Sequence, residues 1–294
     1  MKVLSLFDGI SCGMVALERA GIPVERYVAY EIDKYAIQVS KKNYSNIEHC
    51  GDVTEADFKQ YCGFDLLIAG FPCQDLSINK ADRQGLNGER SGLFWEAVRA
   101  IKEAQPKYFL IENNYKMPEE DLQTISKTLG VEPILIDSNT VSAQQRKRLY
   151  WTNIEGIEQP KDKNIHIVDI VESVNAENLI NETKFNGKQL LSEKTNKPLR
   201  IGTIGKGGQG ERVYSVCGKT VTLTANGGGR GAKTGLYLID GTVRKLTPIE
   251  AERAQTLPDN YTEGVRDTNR YKCIGNGWTV DVISHIFTYL RKEF

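Results

Sequence analysis

A chain of 294 residues with 40% apolar content can bury a full core, as one large domain or two smaller ones. Six scattered cysteines (Cys12, Cys50, Cys62, Cys73, Cys217, Cys273) form no Cys-x-x-Cys pair, and three histidines do not cluster, which argues against a disulfide framework or a zinc site and for a reducing interior. Basic and acidic residues balance at 38 each, the opening apolar run is too short for a signal peptide, and no stretch could span a membrane; a soluble, intracellular protein is expected.

In chain order, residues 2–7 read as a strand, followed by a turn at 8–13 and a helix whose apolar face holds Val15, Leu17 and Ala20, with Gly21 as its stop. Residues 27–30 form a second strand ending in Glu31, and a short third one near Ile47 ends at Gly51-Asp52-Val53. The apolar run 65–69 reads as a buried strand leading into Gly70-Phe71-Pro72-Cys73-Gln74, and the run 108–111 as another ending in Glu112-Asn113. A helix lies between them through Leu93, Phe94, Ala97, Val98 and Ile101, and later strands fit 133–136 and 149–151. This rhythm predicts an α/β, doubly wound, mostly parallel sheet.

The character changes after about Pro160. Glycine clusters at 202–210 and 227–231 flank a short predicted strand at 220–224, giving a loop-rich module whose plainer alternative is a flexible linker. Between Lys184 and Lys245, twelve Lys and Arg stand against Glu193, Glu211 and Asp240, while the remainder is acidic by the same margin of nine. Such a block suggests a polyanion contact, and a solvated lysine-rich loop would show the same charge. Order returns at 245–250, with Pro248 near a helix start, and the chain closes on an amphipathic helix carrying Val280, Ile283, Ile286, Phe287 and Leu290.

The strand ends carry the chemistry. If the Cys73 and Glu112 strands share one parallel sheet, a thiol and a carboxylate stand side by side in the ligand crevice. That pair suits a pyrimidine ring, with thiolate addition at C6 of cytosine, protonation at N3 and a nucleophilic C5 that accepts a methyl group. A buried structural cysteine is the plainer alternative. Gly9 and Gly13 lie in the first turn, where backbone would approach a ligand, but the spacing is not Gly-x-Gly-x-x-Gly and specifies no pyrophosphate. Glu31 is placed to accept from ribose hydroxyls and Asp52 from an adenine amino group. Together these positions suggest an adenosine-containing cofactor without a pyrophosphate, best fitted by S-adenosyl-L-methionine.

The order of the motifs resembles that of the DNA (cytosine-5)-methyltransferase family: Phe7-Asp8-Gly9-Ile10-Ser11-Cys12-Gly13, Gly51-Asp52-Val53, Gly70-Phe71-Pro72-Cys73-Gln74, Glu112-Asn113, Gln144-Gln145-Arg146-Lys147-Arg148 and Gly275-Asn276-Gly277-Trp278. The stretches 3–9, 64–77 and 278–294 look most similar to the catalytic domain of the eukaryotic de novo enzymes, whereas the compact basic insert is similar to those of bacterial and phage enzymes. The resemblance implies the S-adenosylmethionine-dependent methyltransferase fold, with catalytic segments 1–160 and 245–294 and a target-recognition domain at 161–244. It implies Cys73 as nucleophile, Glu112 as the N3 partner, and Arg146 and Arg148 as the pair that holds the acid and the cytosine O2. Positive surroundings near Arg148 would help Cys73 ionise.

For the cofactor, the resemblance implies Phe7, Asp8, Gly9, Ile10, Ser11, Gly13, Glu31, Ile32, Asp52, Val53, Pro72, Asn276 and Trp278, with S-adenosyl-L-homocysteine as product and no metal. For DNA, it implies Ser77, Arg83 and Gly88 on a closing loop, and Lys206, Arg212 and Arg230 in the insert. The target base must be flipped out of the duplex at a cost of a few kcal/mol. Asn114 departs from the pattern, because the family usually has a small aliphatic residue after Glu-Asn. The implied setting is a monomer in the cytoplasm of a bacterial or phage-infected cell, with double-stranded DNA as partner and a cognate restriction endonuclease as a candidate second one. A tRNA cytosine methyltransferase and a non-enzymatic DNA-binding relative remain as alternatives; intact Cys73, Glu112 and Arg148 argue against the latter.

Overall fold

The computed structural model describes residues 1–72, 91–172, 186–187, 193–225 and 229–290. It falls into two units, one of Met1–Ile136, Lys147–Gln159 and Ile283–Phe294, the other of Asp137–Arg146 and Pro160–Val282.

In the first unit, β1 (Lys2–Leu6), β2 (Arg26–Tyr30), β3 (Glu48–His49), β4 (Leu66–Gly70), β5 (Tyr108–Asn114), β6 (Ile134–Asp137) and β7 (Lys147–Thr152) form one sheet, ordered β3-β2-β1-β4-β5-β7-β6. β1 pairs in parallel with both β2 and β4, β4 pairs in parallel with β5, and β7 runs antiparallel to β5. The architecture is therefore α/β around a mostly parallel sheet. Continuous apolar runs such as Leu66-Leu67-Ile68-Ala69 are what a strand covered on both faces requires, and all four are buried. The strand order reverses between β1 and β4, so the turns leaving these strands flank the crevice where open α/β sheets take ligands.

Helix α1 (Cys12–Ala20) stops at Gly21, whose φ of 71° is the left-handed conformation that ends helices. α2 (Lys34–Asn43) is capped by Asp33, which accepts from the Tyr35 and Ala36 amides. α3 (Phe94–Ala104) buries Phe94, Ala97, Val98, Ala100 and Ala104 in the core beneath the sheet, and α4 (Glu119–Leu129) buries Ile125. Gly13 also lies against the sheet: a Cβ there would sit 2.2 Å from Ile68 Cδ1 and 2.9 Å from Tyr27 Oη.

In the second unit, β8 (Asn186–Gly187), β9 (Arg200–Thr203), β10 (Arg212–Ser215), β11 (Leu236–Ile239) and β12 (Thr242–Arg244) form a second sheet, ordered β12-β11-β10-β9-β8. These two- to four-residue strands, joined by long loops, were not visible in the glycine-rich sequence. The strand expected at 220–224 does not form. Thr220 makes only an isolated bridge with Gln144, and the segment's amides scatter: Thr220 to Ala143 O at 2.7 Å, Val221 to Tyr237 Oη at 3.2 Å, Leu223 to Gln144 Oε1 at 2.9 Å and Thr224 to Lys233 O at 3.0 Å.

Helix α5 (Pro248–Ala254) begins with a capping box between Thr247 and Glu250, as Pro248 foretold. α6 (Asp267–Asn276) follows, and α7 (Val280–Phe287) buries Val280, Ile283, Ile286 and Phe287 of the expected closing helix, while Leu290, also buried, lies beyond its end. No helix among the described residues is long and apolar enough to cross a membrane.

A Cβ on Gly275 would lie 2.3 to 2.6 Å from the backbone of Thr224 and Ala225, which cannot rotate away. Gly275→Ala is expected to destabilise the protein by about 3 kcal/mol, the upper end for overpacking. Urea unfolding measures it, and an unchanged midpoint would show that the two segments separate freely.

Candidate active site

The turn after β1 is built on alternating left-handed residues, Phe7 (φ 56°), Gly9 (φ 60°) and Ser11 (φ 58°). For a bulky Phe this conformation is strained and persists only where its surroundings impose it. The Asp8 carboxylate supplies that constraint. It accepts from the Ser5 hydroxyl at 2.6 Å, the Tyr27 hydroxyl at 2.7 Å and the Ser11 hydroxyl, while the Asp8 amide donates to Tyr30 O. Ser11 Oγ continues to Ser40 Oγ at 2.6 Å and Ser40 to His49 Nε2 at 3.2 Å, and burial keeps the His49 imidazole below its ordinary pKa. Ile10 and Ser11 are buried, so Asp8 shapes the turn from inside.

Glu31, immediately after β2, reaches the same turn. Its Oε2 accepts from the Gly9 amide and its Oε1 from the Ile32 and Asp33 amides, each at 2.8 Å. Burial raises its carboxyl above the usual range, and the three amide donors oppose that shift. Beside it, Ile32 is 73% exposed, an apolar surface at the sheet's ligand edge. Asp52 closes the next strand end. Its Oδ1 accepts from both the amide (2.9 Å) and hydroxyl (2.8 Å) of Thr54, and Val53 is buried behind it.

β4 ends at Gly70, paired with Glu112 on β5, and Phe71 and Pro72 follow. Cys73, Ser77, Arg83 and Gly88 lie outside the described residues. Glu112 is buried, and its Oε1 lies 2.8 Å from Arg148 Nε on β7. The next residue, Asn113, donates from Nδ2 to Phe71 O at 3.0 Å, tying the exit of β4 to β5. Sequence reasoning missed this tie; its signal was an amide in an otherwise apolar strand. Asn114, the departure from the family pattern, accepts from the Lys116 amide at 3.3 Å and so helps turn the chain out of β5.

In the second unit, Arg146 is buried and donates to three carbonyls, Leu223, Gly275 and Gly277, at 3.0 to 3.1 Å. Of the two arginines expected at the base, Arg148 holds the acid, while Arg146 fixes the loop around Asn276 and Trp278. Asn276 is exposed and Trp278 half-buried. The buried amides of Gln144 and Gln255 reinforce that loop, bonding to each other at 2.9 Å and, from Gln255, to Ile274 O and Gly277 O.

In the basic insert, Lys206 and Arg230 are exposed and Arg212 is half-buried on β10. Two of the twelve cations serve the interior instead. Lys219 Nζ donates to Asn139 O, Ser142 O and Ile165 O, and burial lowers its pKa. Arg244 forms a bidentate pair with buried Glu250, both bonds 2.7 Å. Among the described residues, no group of His, Cys, Asp and Glu could hold a metal ion.

The family model of C-5 cytosine-specific DNA methylases matches residues 1–292. Type II methyltransferase M.HhaI of Haemophilus parahaemolyticus is 33% identical over 307 aligned positions, covering 97% of this chain and 93% of that protein. Type II methyltransferase M1.ScrFI of Lactococcus lactis subsp. cremoris is 30% identical, covering 97% of this chain and 76% of that protein. The crystal structure of S. pombe Dnmt2 methyltransferase shares the fold, with a TM-score of 0.73 at 18% identity and coverage of 100% and 99%. A family match that runs from the first strand to the closing helix leaves one assignment: this chain belongs to the C-5 cytosine-specific DNA methylases and is an enzyme of that family.

Proposed function

We propose that the protein transfers a methyl group to C5 of a cytosine flipped out of a specific duplex sequence, through a covalent bond between Cys73 and C6. The observation that carries this reading is the Glu112–Arg148 pair on β5 and β7, beside the strand that leads into Cys73. Addition of the Cys73 thiolate to C6 moves an electron pair towards C5 while Glu112 protonates or hydrogen-bonds N3. C5 then takes the methyl group, and loss of the C5 proton with expulsion of the thiolate restores the ring. Arg148 keeps the acid oriented. Arg146, whose guanidinium is spent on carbonyls, acts by holding the segment that carries Asn276 and Trp278.

S-adenosyl-L-methionine supplies an electrophilic methyl group on a sulfonium and leaves as S-adenosyl-L-homocysteine. The donor set at the strand ends fits it. A carboxylate offers about four acceptor positions, and three of those on Glu31 hold the turn, which leaves capacity for a ribose hydroxyl. Exposed Ile32 suits the face of an adenine ring, and Asp52 its amino group. Three carboxylates at this edge, from Asp8, Glu31 and Asp52, would repel a pyrophosphate. The resemblance assigns Phe7, Gly9, Ile10, Ser11, Val53, Pro72, Asn276 and Trp278 to the same ligand.

Duplex DNA is the proposed partner of the insert at 161–244, through Lys206, Arg212 and Arg230, and of Ser77, Arg83 and Gly88 on the loop after Cys73. The type II designation of the relatives supports a restriction–modification setting, for which a cognate endonuclease is the proposed second partner; the proposed enzyme acts as a cytoplasmic monomer.

Cys73→Ser should abolish methylation and leave cofactor binding intact. A duplex with 5-fluorocytosine at the target should trap the wild type covalently, because fluorine cannot leave as a proton. Turnover surviving in Cys73→Ser would sink the mechanism. Glu112→Gln keeps the shape without the proton, so single-turnover methyl transfer should fall by roughly 10²–10⁴. An unchanged rate would remove Glu112 from N3.

Neutralising Lys206, Arg212 and Arg230 together should weaken DNA binding. A residue that meets only a phosphate lowers the slope of log affinity against log salt by roughly 0.9 when neutralised, whereas neutralising a base-reading residue relaxes site choice. Normal binding with an unaltered slope would make the insert a linker.

A further inference from the structure

Arg99, on the middle of α3, belongs to no motif of the sequence, yet it ties that helix to a strand end on the ligand edge. Its Nη1 donates to Ala56 O at 2.8 Å and its Nη2 to Val53 O at 3.2 Å, so one planar fork grips both ends of the short 3₁₀ turn at Val53–Glu55. The guanidinium is itself immobilised. Glu96 lies 2.6 Å away at i−3 and Glu103 3.3 Å away at i+4, and the Phe58 ring centroid is 4.4 Å from Arg99 Cζ. Glu103 also accepts from the Phe58 amide at 3.3 Å. The turn so anchored begins at Asp52, whose own side chain supports it only locally, through Thr54.

We propose that Arg99 is a positioning residue for the methyl donor, acting through the Asp52–Val53 turn that receives the adenine. The inference rests on the proposed cofactor reading of Asp52. Arginine is suited to this because its rigid fork meets two carbonyls at once, where a lysine meets one. A turn that only its own Asp52–Thr54 bonds supported would sample several carboxylate orientations, and adenine would have to select one. Two carboxylates around one guanidinium leave the cluster at a net −1, so the anchor presents no positive charge to the ligand.

The test is calorimetric titration of S-adenosylhomocysteine into the full chain carrying Arg99→Gln, Asp52→Ala or both. Arg99→Gln is expected to weaken binding roughly tenfold, about what one charge-assisted hydrogen bond is worth. On the Asp52→Ala background it should add less than twofold, because the group it positions is gone. Arg99→Lys, which retains the charge and one carbonyl contact, should fall between wild type and Arg99→Gln and serves if the glutamine variant does not fold. The inference is overturned if Arg99→Gln, or Arg99→Lys in its place, binds like wild type, or if its effect multiplies in full with that of Asp52→Ala. If Asp52→Ala alone binds normally, the cofactor reading itself fails, and the inference with it.

Discussion

Parallel pairing of β4 with β5, in the register that sets Gly70 opposite Glu112, is the constraint on which the candidate site depends. Side chains alternate along a strand, so a slip of one residue would turn Glu112 to the other face of the sheet. The antiparallel partner β7 uses the same register. Glu112 stands opposite Tyr150 and Asn114 opposite Arg148, which makes Arg148 the diagonal neighbour of Glu112 on one face. A long side chain spans that diagonal readily, and the 2.8 Å contact follows from strand geometry. Asn113, pointing to the opposite face, is left to hold Phe71 O, so successive residues serve the acid and the exit towards the nucleophile.

Burying a carboxylate costs several kcal/mol unless it is paired, and the chain resolves that cost differently in its two units. Glu112 is paired with Arg148, each side chain keeping 10% to 13% of its surface. Arg244–Glu250 is closed by comparison: Glu250 also accepts from the Glu172 and Thr247 amides, and the pair is essentially inaccessible. That saturation marks a structural joint, whereas the Glu112–Arg148 pair keeps some contact with solvent at its strand end. Lys219, with three carbonyls, belongs with the joints.

This distinction explains what the sequence could reveal. Apolar runs and the spacing of 93–101 foretold β4, β5 and α3, because burial periodicity is local information. Glu31, Asp52 and Glu112 stand out in the sequence because they end predicted strands, and strand ends in a parallel sheet are where ligands bind. Destinations of hydrogen bonds are not local. Nothing around Arg146 announces that its guanidinium goes to residues 223, 275 and 277, nor around Arg99 that it reaches back to residue 53. Nor does the sequence around Gly13 reveal that it packs α1 closely against Ile68 and Tyr27. At 220–224, β-branched residues favoured a strand, but the segment's hydrogen bonds are divided among residues 143–145, Tyr237, Ala232 and Lys233. The net charge of the insert overstated its surface for want of the same knowledge about Lys219 and Arg244.

Acceptor capacity at the three carboxylates of the ligand edge then orders their roles. Asp8 accepts three bonds, all from hydroxyls (Ser5, Ser11 and Tyr27), and these maintain a strained turn. Glu31 is engaged by three amides that cannot leave without moving the backbone, which leaves one acceptor position beside exposed Ile32. Asp52 is held through Oδ1, by the amide and hydroxyl of one threonine. Asp8 and Glu31 are thus each fixed by three bonds and Asp52 by two, a difference that on the proposed reading suits a ligand whose ribose is fixed and whose base is discriminated. It also places the greatest need for outside support at Asp52, where Arg99 supplies it.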